Sequence, residues 1–291
     1  MTDTTPQDAP AHDAGLFRIG GSLPVHRLGY GAMQLTGDGI WGPPADPAGA
    51  IAVLRRAVEL GVDFIDTADS YGPFVSEDLI RRALHPYDGI TVATKAGLVR
   101  RGPGDWYPVG VPAYLRQCAE MSLRRLGVER IDLYQLHRID RHVPLEDQLG
   151  VFAELAAEGK IAHIGLSEVT VEQLERARTI VPIVSVQNRY NVADRSSEDL
   201  LIHCEQEGIG FIPWFPVGTG ELARPGGPLA ALADRTGHPP AQLALAWLLR
   251  RSPVMLPIPG TKTMAHLEQN CAAATLELDD QTYAELTDLA G

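Results

Sequence analysis

The sequence predicts an α/β fold: a (β/α)8 TIM barrel with an N-terminal β-hairpin at the barrel bottom. Three observations lead there. Short, β-branched apolar runs alternate with helix-like segments from about residue 28 to 273, and there are eight such units. The runs are continuously apolar, as strands buried on both faces of a parallel sheet must be. No Gly-x-Gly-x-x-Gly opens a helix after the first run, which argues against an open doubly wound sheet.

The elements follow in order. Residues 1–14 are polar and rich in Pro, Asp and Thr, and read as a disordered leader ahead of a single domain over 15–291. Gly20-Gly21 between short apolar stretches predicts a hairpin over 16–27, plugging the barrel bottom. Leu28-Gly29-Tyr30 is the first strand. Asp46-Pro47 reads as an N-cap followed by Pro at the first helical position, with Ile51, Leu54 and Val58 along one face. Strands two to eight centre on Phe64-Ile65, Thr91 to Ala93, Ile131 to Leu136, Ile161 to Leu166, Ile183 to Val186, Ile209 to Ile212 and Val254 to Ile258. Leu149, Phe152, Leu155 and Ala156 mark a core-facing helical stripe, and Thr170-Val171-Glu172-Gln173 matches a capping box. Two long loops rich in Gly and Pro, about 97–111 and 215–228, follow strands and so overhang the carboxyl rim.

Composition narrows the function. Of 291 residues 45% are apolar, enough for a sizeable core. The 37 acidic against 25 basic side chains give net charge −12, a surface that repels nucleic acid and anionic membranes. Cys118, Cys204 and Cys271 are odd in number and far apart, with no disulfide or metal spacing. No apolar run is long enough to span a bilayer and no signal-peptide core is visible, so the expectation is a cytoplasmic protein acting on a small molecule. Its oligomeric state leaves no mark in the sequence.

Four polar residues sit at the ends of strands two to four: Asp66, Tyr71 five residues later, Lys95 and His137. Singly, they read as a helix cap, a rim aromatic, a surface charge and a core histidine. Together, on the rim where barrel enzymes hold their sites, they make a proton-transfer constellation. A phenol with a pKa near ~10 is a poor acid alone, and a neighbouring ammonium lowers that value. Lys95 supplies the charge, Asp66 holds it, and His137 directs a substrate oxygen. A hydride, if one is transferred, must come from a cofactor.

These residues carry a family resemblance. Asp63 to Gly72 (DFIDTADSYG), Thr94-Lys95, Leu133 to His137, Gly159 to Ser167, Val186 to Tyr190 and Ile258 to Lys262 resemble the aldo-keto reductases, in order, over roughly residues 15 to 275. Gly29 to Leu35 and Gly39-Ile40-Trp41-Gly42 look similar to the pyridoxal reductase-like branch. The resemblance implies a (β/α)8 barrel, NADP(H) as cofactor and an aldehyde or ketone as substrate, with pyridoxal one candidate. It implies catalytic roles for Tyr71, Asp66, Lys95 and His137. By the same resemblance, cofactor-binding positions are Gly31, Ala32, Met33, Asp66, Ser167, Gln187, Trp214, Phe215, Pro216, Val217, Gly218, Gly260, Thr261, Lys262, His266, Gln269 and Asn270. Ser167 and Gln187 would hold the nicotinamide carboxamide and Trp214 would stack on the ring. Where the family carries Asn the chain has Glu168, which cannot donate an amide hydrogen bond; His266 stands where relatives carry Arg. Lys262, beside a helix N-terminus that favours anions, would receive the adenosine 2′-phosphate.

For the substrate pocket the loops point to Trp41, Trp106, Tyr71 and His137, with Arg100 and Arg101 as candidates for clamping a planar or anionic carbonyl. Arg138 is a rim residue without an assigned role. The short stretch after the last helix leads to the expectation of an open, permissive site. Two rival readings stand beside the reductase: a non-catalytic NADPH-sensing module, and a class I aldolase forming a Schiff base on Lys95. A metal-dependent hydrolase is disfavoured, because the first strand carries no His-x-His.

Overall fold

In a computed structural model, which describes residues 9–218, 226 and 229–289, the chain opens on residues expected to lie in a disordered leader. Residues 1–8 fall outside the description. Pro10–Ala14 form a 3-10 helix with Ala11 and Ala14 buried, and Ala11 N–H donates to the Leu60 carbonyl. The correction has a simple cause: two small apolar residues pack under the barrel and repay the cost of ordering the segment.

Strands β1 (Leu16–Ile19) and β2 (Leu23–His26) pair antiparallel across a turn in which Gly20 and Gly21 have φ of 58° and 74°. Only glycine enters that region without strain. Ile19 and Val25 pack on Phe64, Ala93, Leu133, Ile212 and Leu256, so the hairpin closes the barrel bottom as expected.

Seven parallel strands follow: β3 (Tyr30–Gly31), β4 (Phe64–Asp66), β5 (Thr91–Ala96), β8 (Ile131–Leu136), β9 (Ile161–Ser167), β10 (Ile183–Gln187) and β11 (Gly210–Phe211), paired in that order. The eighth unit, 254–259, closes the ring without becoming a regular strand. Leu256 N–H donates to the Phe211 carbonyl on one side, and Gly29 N–H donates to the Pro257 carbonyl on the other. Pro257 and Pro259 have no N–H to give, which halves the ladder there. The expected 97–111 loop is instead an antiparallel hairpin, β6 (Leu98–Gly102) and β7 (Asp105–Pro108).

The helices are α1 (Pro47–Glu59), α2 (Val75–Leu84), α3 (Pro112–Leu126), α4 (Leu145–Ala157), α5 (Val171–Arg178), α6 (Glu198–Glu207), α7 (Ala230–Thr236), α8 (Pro240–Arg251), α9 (Met264–Ala272) and α10 (Asp280–Asp288). Asp46 caps α1 through Gly49 N–H, and Thr170 with Gln173 completes the capping box on α5. Leu149, Phe152 and Leu155 of α4 are buried. Among the described residues no helix is long and apolar enough to cross a membrane.

Strand alternation places the chemistry. In β8, Tyr134 and Leu136 pack outward against the helices, whereas Leu133 belongs to the inner core. With period two, Gln135 and then His137 follow Leu133 up the barrel interior. The same alternation carries Phe64 to Asp66 and Ala93 to Lys95. The lower barrel is therefore apolar and its top layer polar.

Candidate active site

Three strands converge on one carboxylate. Lys95 Nζ lies 2.6 Å from Asp66 Oδ2, donates to the Thr67 carbonyl at 2.7 Å, and stands 3.4 Å from the Tyr71 hydroxyl. Lys95 is fully buried, and Asp66, Tyr71 and His137 are each at most 5% exposed. A buried charge pair is tolerable only where further hydrogen bonds complete it. Here Asp66 Oδ1 accepts from Gln135 Nε2 (3.2 Å) and Gln187 Nε2 (2.9 Å).

Gln135 was missed by the sequence reading, since an inward Gln within an apolar strand leaves no spacing signal. It fits because Gly165 faces it: a Cβ there would come within 2.9 Å of Gln135 Cγ. Gln187, assigned by resemblance to the carboxamide, lines the cleft and donates one of its two amide hydrogens to Asp66 Oδ1.

The loop that delivers Tyr71 is fastened at several points. Asp69 N–H donates to the Lys95 carbonyl, Tyr71 N–H to Ala68, and Phe74 N–H to Asp69. The Tyr71 ring meets His137 edge-on with centroids 5.9 Å apart, and Trp106 meets both rings edge-on.

Burial pushes the Tyr71 phenol above its ordinary value, with Lys95 pulling the other way. Lys95 alone would lower the phenol's value, as the sequence predicts, but full burial outweighs that pull here. Burial would lower the Lys95 pKa, but Asp66 and Tyr71 more than offset it, and the amine is held as an ammonium. Burial first, then Lys95 and Arg138, hold His137 well below the ordinary histidine value, so its ring is neutral. Ser70 Oγ lies 3.3 Å from His137 Nδ1.

Asp66, Tyr71 and His137 open into a cleft of about 1010 Å³, with Lys95 buried behind them. Gly31, Met33, Ser167, Gln187, Trp214, Phe215, Pro216, Val217, Gly218, Gly260, Thr261, Lys262 and His266 line it, together with Asp66, Tyr71, His137, Trp106 and Arg138. Ala32, Gln269 and Asn270 do not line it; Ala32 and Asn270 are buried, and the Gln269 carbonyl accepts from Gln242. At the far end Thr263 caps α9 by accepting from His266 N–H, leaving the helix N-terminus and Lys262 at the cleft.

Two residues expected at the pocket are engaged with each other. Trp41 is 37% exposed and lies outside the cleft lining, on the Arg100 guanidinium at 5.6 Å. Arg100 makes no clamp either. Its guanidinium lies 3.6 Å from the Trp106 ring centre and donates to the carbonyls of Gly39, Ile40, Ser70, Gly102 and Asp105. It ties the β6–β7 hairpin to the loops bearing Ile40 and Tyr71, a role set by long-range contacts that no local motif announces. Arg101 pairs with Asp105 at the surface. Glu168, at φ 56°, has its carboxylate engaged: Oε1 accepts from the Arg189 backbone N–H (2.8 Å) and from the Trp214 indole N–H (2.5 Å). No group of three or more possible metal ligands occurs among the described residues.

Comparison with known proteins shows the family and the fold. The Aldo/keto reductase family matches residues 27–290. An uncharacterized oxidoreductase of Schizosaccharomyces pombe is 52% identical over 276 residues, covering 95% of this chain and 90% of the relative. Pyridoxine 4-dehydrogenase of Escherichia coli is 44% identical over 273 residues, covering 91% of this chain and 95% of the relative. Among solved structures, an aldo-keto reductase of Klebsiella pneumoniae in complex with NADPH superposes with a TM-score of 0.79 at 28% identity, over 94% of each chain. The holo form of an aldo-keto reductase of Bacillus halodurans gives 0.82 at 28% identity, over 95% of this chain and 96% of the other.

Proposed function

This chain belongs to the aldo/keto reductase family, and we propose that it is an NADPH-dependent reductase of aldehydes or ketones, with pyridoxal among its substrates. One observation carries the reading: a buried Tyr71–Lys95–Asp66 chain opens into a single cleft that runs past Trp214 to the N-terminus of α9. When bound, NADPH supplies the hydride.

The residues fit such a cofactor. Trp214 offers an apolar ring face, and Ser167 with the free oxygen of Gln187 offers polar contacts to a carboxamide. The α9 N-terminus and Lys262 favour the dianionic 2′-phosphate over a ribose hydroxyl. Tyr71 protonates the carbonyl oxygen, and the Lys95 ammonium stabilises the phenolate left behind. Asp66 fixes Lys95 in place. In the tautomer whose Nδ1 accepts from the Ser70 hydroxyl, 3.3 Å away, the neutral His137 keeps Nε2–H as a donor toward the substrate oxygen. Ile40, Leu98, Trp106 and Pro108 provide a largely apolar wall suited to a planar aldehyde. The relative that acts as pyridoxine 4-dehydrogenase supports pyridoxal as that aldehyde.

The aldolase alternative loses support, because a Schiff base needs an unprotonated amine and Lys95 is held as an ammonium by Asp66.

An aldehyde panel including pyridoxal, followed by cofactor absorbance with NADPH and NADH in parallel, tests the proposal. Pyridoxal should be reduced, with NADPH far better than NADH. If no member of the panel consumes NADPH, the reading fails and a sensing module remains.

A further inference from the structure

Arg138 is the charged side chain of the cleft that neither the sequence reading nor the proton-transfer chain uses. Its guanidinium is partly buried between His137 and Ser167, and burial lowers its pKa. Nη1 donates to the His137 carbonyl at 2.6 Å and to Ser167 Oγ at 2.9 Å. Among the described residues no further hydrogen bond and no carboxylate within ion-pair distance engages it, which leaves Nε–H and both Nη2 hydrogens available. A guanidinium taken partly out of water with open donors is completed by an acceptor.

The surroundings say which acceptor. On the reading above, Ser167 and Gln187 flank the nicotinamide carboxamide, a group with one carbonyl oxygen and an N–H2. One Nε2 hydrogen of Gln187 is bound to Asp66, and no hydrogen bond among the described residues takes its side-chain oxygen, so Gln187, which lines the cleft, has an acceptor to offer there. Glu168 has no hydrogen to donate, and its carboxylate is engaged by Arg189 and Trp214. Glu168 thereby anchors the Trp214 indole and leaves the carboxamide oxygen without a side-chain amide donor at position 168. Arg138 stands next to Ser167 with donors to spare.

We propose that Arg138 is a cofactor-binding residue whose guanidinium, working beside the Ser167 hydroxyl, donates to the carbonyl oxygen of the nicotinamide carboxamide. This rests on the NADPH reading. The contact is a charged hydrogen bond inside a partly desolvated cleft, and its loss costs about tenfold or more in affinity.

Calorimetric titration of the full-length protein with no carbonyl compound present tests it. The ligands are NADP+, its nicotinic acid analogue (a carboxylate in place of the carboxamide) and adenosine 2′,5′-bisphosphate, which lacks the nicotinamide. Arg138→Met should weaken NADP+ about tenfold or more, weaken the carboxylate analogue further, and leave the bisphosphate unchanged. Arg138→Lys should recover part of the loss for the carboxylate analogue. Unaltered NADP+ binding by Arg138→Met would overturn the inference, and would be the result if Arg138 served an anionic substrate instead. Equal weakening of all three ligands would also overturn it, since the arginine would then act through the fold. Failure of the wild-type protein to bind either NADP+ or the bisphosphate would instead sink the cofactor reading itself.

Discussion

Tyr71→Phe should lower turnover of carbonyl reduction by roughly 10²- to 10⁴-fold, the range that a positioned general acid contributes. The fold should tolerate the change. The ring remains buried between His137 and Trp106, and the lost hydroxyl makes one long contact, 3.4 Å, with Lys95. Cofactor binding should be nearly unchanged, because on the proposed reading the hydroxyl meets the substrate oxygen and not the cofactor. The electrostatics add a pH signature. Reduction needs the phenol protonated, so activity is lost only as pH rises through the Tyr71 pKa, which burial places above the ordinary value of 10.0. His137, held well below 6.5, is already neutral. Wild-type kcat/KM for reduction should therefore be flat between about pH 7 and 9. Steady-state kinetics and cofactor titration of the variant decide the point. A variant that loses NADPH affinity along with turnover would count against Tyr71 as the acid.

Lys95→Met should be the most destabilising single change in the site. It leaves the Asp66 carboxylate buried with only two neutral amide donors, Gln135 and Gln187, and breaking a buried pair from one side costs about 3–5 kcal/mol. Denaturant melts should show that loss, and activity should vanish with it. The double variant Asp66→Asn/Lys95→Met removes both charges and should regain most of the stability, since a buried pair replaced by neutral groups is often close to neutral in energy. It should regain no activity, because nothing then stabilises the Tyr71 phenolate. Wild-type stability in Lys95→Met would mean that Asp66 is hydrated or protonated. Activity in the double variant would remove Lys95 from the mechanism.

The fold was legible because its signals are local. Short continuously apolar runs such as 131–136 mark the buried parallel strands, and the caps at Asp46 and Thr170 read directly from neighbouring residues. The positions of Asp66, Lys95 and His137 at strand ends follow from the same pattern. What was not legible depends on contacts far apart in the chain. The β6–β7 hairpin lay hidden in a stretch of Gly, Pro, Arg and Trp without alternation, and Arg100 within it is bound to carbonyls as distant as Gly39. Glu168 reads as a disrupted amide contact until Trp214, 46 positions on, is seen to take its carboxylate. Residues 10–14 are polar enough to suggest disorder, yet Ala11 and Ala14 suffice to hold them under the barrel. Of the loop expected over 215–228, Phe215 to Gly218 line the cleft, while 219–225, 227 and 228 lie outside the described residues.

The proposed reductase rests on hydride transfer from a bound nicotinamide to a carbonyl carbon at the Tyr71 rim. Single turnover with NADPH dideuterated at nicotinamide C4 and pyridoxal, followed by mass analysis of the alcohol, tests it most directly. One deuterium at the former carbonyl carbon in the wild type, and almost none over the same interval in Tyr71→Phe, is the predicted result. An alcohol formed without the label, or no alcohol from pyridoxal or any other carbonyl offered, would contradict the account.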